Sequence, residues 1–254
     1  GFDDLERVAS LGFRGEALSS IAAVARVELV TAREPGDGTR VRIEGGRVRS
    51  AEPAAHPTGT SVEVASLFFN VPARRKFLKS PRTELRRAAE VVQGYALARP
   101  EIAFSLRHEG RTMLETAAGG QGPEAARERI REVFGSELSR HLVALPPDGP
   151  VDRESFWGFV GDPSTGGSQR RFVFVNRRLL RDRAVLATFY RAVRETWHGD
   201  RFPALFLFVD LPPDDVDVNV HPQKTEVRFS RSGAVHDGVR EAVASALSRE
   251  GAVP

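Results

Sequence analysis

Three stretches of this chain combine residue types that could hold a phosphate. The first is Leu11-Gly-Phe-Arg-Gly-Glu-Ala-Leu18, in which Gly12 and Gly15 flank Phe13 and Arg14 and a helical pattern begins at Glu16, Ala17 and Leu18. Glycines let successive backbone N–H groups point into one concavity, and a helix start adds positive dipole, so such a turn can cradle an anion. The same pattern also serves simply to turn a chain, and an acid such as Glu16 is favourable in any first helical turn. The second stretch, Gly59-Thr-Ser-Val-Glu-Val-Ala-Ser-Leu-Phe68, is a strand entered through glycine, with Thr60 either an ordinary strand threonine or a ligand contact. The third runs from Val216 to Phe229 as two alternating segments around a polar loop that lifts Lys224 outward. A lysine on such a turn is a mobile point charge able to reach a phosphate, or a plain surface residue.

Other chemistries find no support. There is no Ser-His-Asp order, no H-E-x-x-H, no EF-hand loop and no G-x-x-x-x-G-K-[ST], so any use of ATP does not rest on a P-loop. His221 precedes a proline and has no partner at metal-ligand spacing, which makes it a turn residue. Basic residues are unevenly spread. Between Arg170 and Arg194 there are eight arginines and a single acid, Asp182, and a second cluster comprises Arg74, Arg75, Lys76, Lys79, Arg82, Arg86 and Arg87. Patches of this kind suit a polyanion through phosphate neutralisation, although arginine-rich helices also serve as solvated faces.

The elements that must carry these residues can be read from periodicity and turn chemistry. Leu18, Ile21, Ala22 and Ala25 repeat at helical spacing, Val27–Thr31 reads as a strand, and Thr39–Ser50 as a hairpin about Gly45-Gly46. Ser61–Val64 alternates as a strand, and Pro72 suits the first turn of a short helix. Pro81–Arg99 is an amphipathic helix with Leu85, Ala89, Val92 and Ala96 inward, followed by a hairpin about Glu109-Gly110. The glycine-rich stretch Ala117–Pro123 is the expected domain boundary, and a helix over Glu124–Phe134 follows it. The second half reads as strands Ser155–Val160 and Arg171–Val175, a short strand near Leu179, helix Arg183–Trp197 and strand Ala204–Leu211. Segments Val216–Val220 and Thr225–Phe229 and a closing helix Ala234–Leu247 complete it. The pattern is α+β, with helices expected on one face of a mixed sheet.

Bulk composition bounds these readings. The 254 residues are 41% hydrophobic and 28% charged, an ordinary globular balance long enough for one large domain or two ordinary ones. The net charge is only +3, so the distribution of charge says more than its sum. No apolar run approaches the roughly 20 residues of a membrane span. With no cysteine, disulfides and thiolate metal sites are excluded, and a reducing cytoplasm is the simple expectation. Residue 1 is glycine rather than methionine, and the expectation is that the sequence is part of a longer chain.

Taken together and in order, these stretches resemble the MutL family of DNA mismatch repair proteins. The resemblance rests on Gly12–Leu18, on Gly59-Thr60 with Phe69-Asn-Val-Pro-Ala-Arg-Arg-Lys-Phe77, on Phe174-Val-Asn-Arg177, and on Asp217-Val-Asn-Val-His-Pro-Gln-Lys224, and it spans essentially the whole chain. It implies a GHKL (Bergerat) ATPase-type α/β sandwich lacking its first segment, over 1–120, followed by a ribosomal-protein-like β-α-β transducer domain over 121–254. In the family, Gly12, Phe13, Arg14, Gly15, Glu16, Ala17 and Leu18 match a lid that wraps ATP phosphates. Thr60 matches the motif that closes the nucleotide site, and Lys224 the second-domain lysine that contacts the γ-phosphate. Arg183 matches a DNA-contacting position, and the surrounding Arg177, Arg178 and Arg181 are expected to share that surface.

The resemblance further implies ATP with Mg²⁺ as the nucleotide switch, amino-terminal homodimerisation on ATP binding, and DNA as a partner. It also implies a MutS-type mismatch recognition protein upstream, a downstream endonuclease or helicase, no membrane, and a bacterial cytoplasm in association with the nucleoid. The family's helix with the general-base glutamate and the magnesium-binding asparagine, and its adenine-reading D-x-G-x-G, precede the region matched here. No catalytic or metal-binding residue is therefore assigned, and this chain alone is expected not to hydrolyse ATP. Two alternatives stand beside this reading: another GHKL ATPase such as a type II topoisomerase subunit, and a non-catalytic nucleic-acid-binding module.

Overall fold

The computed structural model describes residues 16–145, 154–162, 170–197, 201–217 and 227–249. Contacts gather the chain into two compact units, 9–85 and 86–254. The division falls inside a helix, while the glycine-rich stretch Ala117–Pro123 joins a strand to a helix within the second unit.

In the first unit, helix α1 (Glu16–Ala22) leads into four antiparallel strands, β1 (Arg26–Glu34), β2 (Asp37–Glu44), β3 (Arg47–Ala54) and β4 (Gly59–Ala65), in the order β3-β2-β1-β4. The β2–β3 hairpin turns at Gly45-Gly46, both at positive φ, which the right-handed strand twist demands of a two-residue turn. Register puts Val27 opposite Ile43 and Val64, and Leu29 opposite Val41 and Val62, so one face is apolar. Leu18, Ala22 and Ala25 pack against Val27 and Ile43 at one end of that face. The other face carries Arg26, Glu28, Arg40, Arg42 and Glu44, whose ion pairs cross between strands. Hydrogen bonds from Arg42 and Arg26 hold the carboxyls of Glu28 and Glu44 below the usual range. Exposed pairs of this kind contribute little stability, so their main effect is on register. Past β4, Asn70 Nδ2 donates to Ala23 O at 2.9 Å ahead of the short helix α2 (Pro72–Arg75).

Helix α3 (Pro81–Ala98) runs across the division, and its buried residues, Gly94, Ala96, Leu97 and Ala98, lie at its end. A hairpin, β5 (Phe104–His108) and β6 (Arg111–Thr116), follows, then α4 (Pro123–Phe134) and α5 (Ser136–Arg140). The second sheet comprises β7 (Leu142–Leu145), β8 (Ser155–Gly161), β9 (Arg171–Val175), β10 (Arg178–Leu180) and β11 (Leu205–Asp210), in the order β10-β9-β11-β8-β7. Among the described residues of this sheet only the β9–β11 pair is parallel, and helix α6 (Arg183–Thr196) lies between them in sequence. A two-stranded ladder, β12 (Val216–Asp217) with β13 (Arg228–Phe229), precedes the closing helix α7 (Ser232–Arg249).

The expectation of helices on one face of this sheet is corrected: both faces are covered. Val173, Val175, Leu205, Leu207 and Val209 pack with Val185, Phe189, Val239 and Val243 of α6 and α7. Phe172, Phe174, Phe206 and Phe208 pack with Leu97 of α3 and Ala126 and Ile130 of α4. The continuous run Leu205–Val209 is buried at every position, and a strand apolar on both sides has to be covered twice. Helix α5 and strand β7 were not foreseen in sequence, both being very short.

Candidate nucleotide and nucleic-acid sites

Thr60 is the second residue of β4 and stands opposite Thr31 of β1. Their hydroxyls are 2.8 Å apart, and Thr31 Oγ1 also reaches Gly59 O at 3.2 Å. The turn feeding β4 is set by His56, with Nδ1 2.7 Å from Pro57 O and Nε2 2.8 Å from Ser61 Oγ. Because a carbonyl only accepts, Nδ1 carries the proton, and in the neutral ring Nε2 accepts from Ser61. Gly59, at φ 132°, takes a conformation that disfavours any side chain. Because Thr31 gives its hydroxyl hydrogen to Gly59 O, Thr60 is the donor of the pair, and its hydroxyl is held in place on an exposed strand.

Of the other residues expected to bind nucleotide, Glu16 and Ala17 are exposed at the start of α1, and Leu18 is half-buried against the core of the first unit. Ser19 Oγ donates to Glu16 O at 2.9 Å and closes this turn. Gly12, Phe13, Arg14, Gly15 and Lys224 lie outside the described residues. The flanks of the Lys224 segment are described. Val216 pairs with Phe229 and Asp217 with Arg228. Below that ladder Ser230 Oγ donates to Asp215 Oδ1 at 2.5 Å, and Arg231 donates to Asp215 Oδ2 at 3.0 Å and to Glu154. These bonds hold the Asp215 carboxyl below the usual carboxylate range, Ser230 contributing most.

The four arginines expected on DNA divide into two pairs. Asn176 and Arg177 both have positive φ, making the two-residue turn between β9 and β10. Asn176 Oδ1 accepts from Leu211 N at 2.8 Å, which accounts for an asparagine in Phe174-Val-Asn-Arg177. Arg177 donates to Glu101 at 3.2 Å and Gln121 at 2.7 Å, bracing the loops before β5 and α4. Arg178 is half-buried, and that burial pushes its guanidinium below its ordinary pKa. By contrast, Arg181 and Arg183 are exposed on either side of Asp182. Asp182 caps α6 by accepting from Ala184 N at 2.8 Å and Val185 N at 3.0 Å. The lone acid of the arginine-rich stretch is thus consumed as a helix cap, leaving its two flanking cations turned to solvent. That role was legible in the sequence as an aspartate just before an apolar-periodic run.

Among the described residues no group of three or more His, Asp or Glu side chains could hold a metal ion. The exposed hydroxyl of Thr60 fits a nucleotide phosphate in its chemistry. No helix among the described residues is long and apolar enough to cross a membrane.

Comparison with known proteins places this arrangement. Residues 130–248 match the family model described as "DNA mismatch repair protein, C-terminal domain". The chain is 30% identical to the Aquifex aeolicus MutL ATPase domain complexed with ADP, over 83% of this chain and 75% of that one, with a TM-score of 0.60. The chain belongs to the MutL family of DNA mismatch repair proteins. A crystal structure described as the N-terminal domain of a DNA repair protein superposes with a TM-score of 0.80 at 29% identity, covering 95% of this chain and 77% of that one. MutL of Thiobacillus denitrificans is 44% identical over 246 residues, which is 96% of this chain and 40% of that protein. This MutL-family chain therefore spans about two fifths of the length of such relatives, and its α+β fold is of the GHKL ATPase type.

Proposed function

We propose that this chain is the nucleotide- and DNA-handling part of a MutL-type mismatch repair protein. In that reading the parent is an ATP-switched, homodimeric matchmaker that couples mismatch recognition to strand incision and excision. The observation that carries it is the likeness, at 30% identity, to a MutL ATPase domain complexed with ADP. Gly12–Leu18 and Thr60 contribute to a phosphate-closing site and Lys224 to the γ-phosphate. ATP with Mg²⁺ is the switch. The nucleotide-binding part is 1–120 and the transducer 121–254. Arg181 and Arg183 carry most of the DNA contact, with Arg178 beside them, while Arg177 braces the loops before β5 and α4. A MutS-type protein and a downstream endonuclease or helicase are the further partners, in a cytoplasm beside the nucleoid.

The test is calorimetric titration of a non-hydrolysable ATP analogue with Mg²⁺ into this chain and into Lys224→Ala. Binding is expected to weaken about tenfold or more in the variant, the size of losing one charge-assisted phosphate contact. Equal binding by both removes Lys224 from the site. Turnover above background in the wild type, lost in Lys224→Ala, contradicts the expected absence of hydrolysis.

A further inference from the structure

A cleft of about 530 Å³ opens in the 86–254 unit where the end of α3 and the start of α4 meet the Ser155 end of β8 and the Asp210 end of β11. Leu97, Pro100, Ala126 and Phe208 give it apolar walls, with the ring of Trp157 beside them. Trp157 and Phe208 are register partners across the β8–β11 ladder, and their rings stack at 4.2 Å. The indole N–H is spent on Asp210, Nε1 donating to Oδ2 at 2.8 Å, so the ring has only its π surface left to offer. Elsewhere in the molecule arginines cover such surfaces, Arg127 over Phe159 at 4.7 Å and Arg194 over Phe202 at 5.3 Å. Among the described residues no cation lies over Trp157.

Two carboxylates line the same cleft, and each has an acceptor to spare. Glu101 Oε1 accepts from Arg177 at 3.2 Å and lies 3.5 Å from Arg99, while its Oε2 is buried with no hydrogen-bond partner. A buried acceptor in that state costs stability until a donor reaches it. Arg177 has its two terminal nitrogens on Glu101 and Gln121. Asp210 is exposed and, among the described residues, pairs with no cation, so it carries the uncompensated charge of the cleft.

Apolar walls, an indole ring and a carboxylate in need of a cation suit a side chain that is apolar along its stem and cationic at its tip. We infer that this cleft is a protein-docking pocket that takes an arginine side chain from a partner chain. Arginine fits better than lysine because its planar, weakly hydrated guanidinium stacks on an aromatic ring while its N–H groups reach a carboxylate. The volume also admits the backbone on either side of such an anchor. Neither Thr60 nor Arg181 nor Arg183 lines the cleft, so the inference stands apart from the nucleotide and DNA readings.

The test follows the two tryptophan indole N–H signals by NMR on the isotope-labelled chain, that of Trp157 being the one lost in Trp157→Phe. The probe is a blocked alanine–arginine–alanine peptide, compared with the same peptide carrying citrulline, lysine or leucine. The arginine peptide is expected to shift the Trp157 signal saturably and to leave that of Trp197 in place. Citrulline, the uncharged isostere, should bind about fivefold more weakly, the upper scale of an exposed ion pair. Asp210→Asn keeps an acceptor for the indole and should erase the preference for arginine over citrulline, whereas Glu109→Gln on the β5–β6 hairpin should preserve it. Circular dichroism checks that each variant is folded. No shift of the Trp157 signal at about 10 mM peptide, where even a millimolar contact is filled, overturns the inference. Equal affinity for arginine and citrulline in the wild type also overturns it, without recourse to any variant. Tighter binding of the leucine peptide overturns it in favour of an apolar anchor.

Discussion

Arg129 shows how far a side chain's role can depart from its type. It lies in α4, in a run of alternating charges, yet only 2% of its surface is exposed. Its guanidinium donates to the carbonyls of Ala96 at 2.7 Å, Pro100 at 2.6 Å and Ala117 at 2.6 Å, with further contacts to Arg99 and Ile102. Its Nε donates to Glu132 at 2.9 Å. These carbonyls include those left unpaired where α3 ends, at the negative end of that helix's dipole. Arg129→Met is therefore expected to destabilise the protein by about 3–5 kcal/mol, the usual cost of breaking a buried charged network, measured by denaturant unfolding. A loss under about 1 kcal/mol would mean that water can replace the guanidinium. The surface arginines follow the opposite rule: Asp182 spends its carboxylate on backbone N–H groups, so Arg183 stays exposed beside it and Arg181 keeps only a 3.9 Å contact with Glu90.

At the scale of elements, the second sheet depends on positions where no side chain fits. Gly158 of β8, at φ 138°, lies so close to Phe206 O that any Cβ would collide with it. Gly238 of α7 similarly makes room for the Phe156 ring. The Asp215 cluster plays a comparable part for the ladder below the Lys224 segment, and its effect depends on pH. The folded-state pKa of Asp215 is depressed, so its contribution is complete above the ordinary aspartate value and is lost as pH falls through the folded value. Asp215→Asn is expected to melt below the wild type at neutral pH, and the gap should close as pH drops below about 4. Equal melting temperatures at pH 7 would show that the cluster contributes nothing measurable.

At the scale of the whole molecule, two compact units carry different parts of the proposed work. In the proposed reading the nucleotide is the switch and Lys224 contacts its γ-phosphate. The expected outcome is nucleotide-dependent dimerisation. In sedimentation velocity, the ATP analogue with Mg²⁺ should raise the sedimentation coefficient of the wild type and leave that of Lys224→Ala unchanged. A wild type that stays monomeric at saturating analogue would mean that the coupling needs residues beyond those matched here. The net charge of +3 places any affinity for DNA in local patches, and such affinity should fall steeply with salt.

Much of this was legible in the sequence because it is encoded over a few residues. The Gly45-Gly46 and Glu109-Gly110 turns, the proline opening α2, the alternation of β1 and β2 and the start of α6 at Arg183 are all matters of local backbone preference. Four motifs in order were enough to indicate the family, since each holds its spacing within one short segment. What depends on contacts between distant segments had to wait for the tertiary structure. The strand order β10-β9-β11-β8-β7, the covering of both its faces and the burial of Arg129 each join segments that no period relates. The same holds for the arginines. Composition showed a cluster, but only their neighbours decided that Arg177 braces Glu101 and Gln121 while Arg181 and Arg183 face solvent. A charge's availability is a property of what surrounds it in space, and that is determined by packing rather than by residue type.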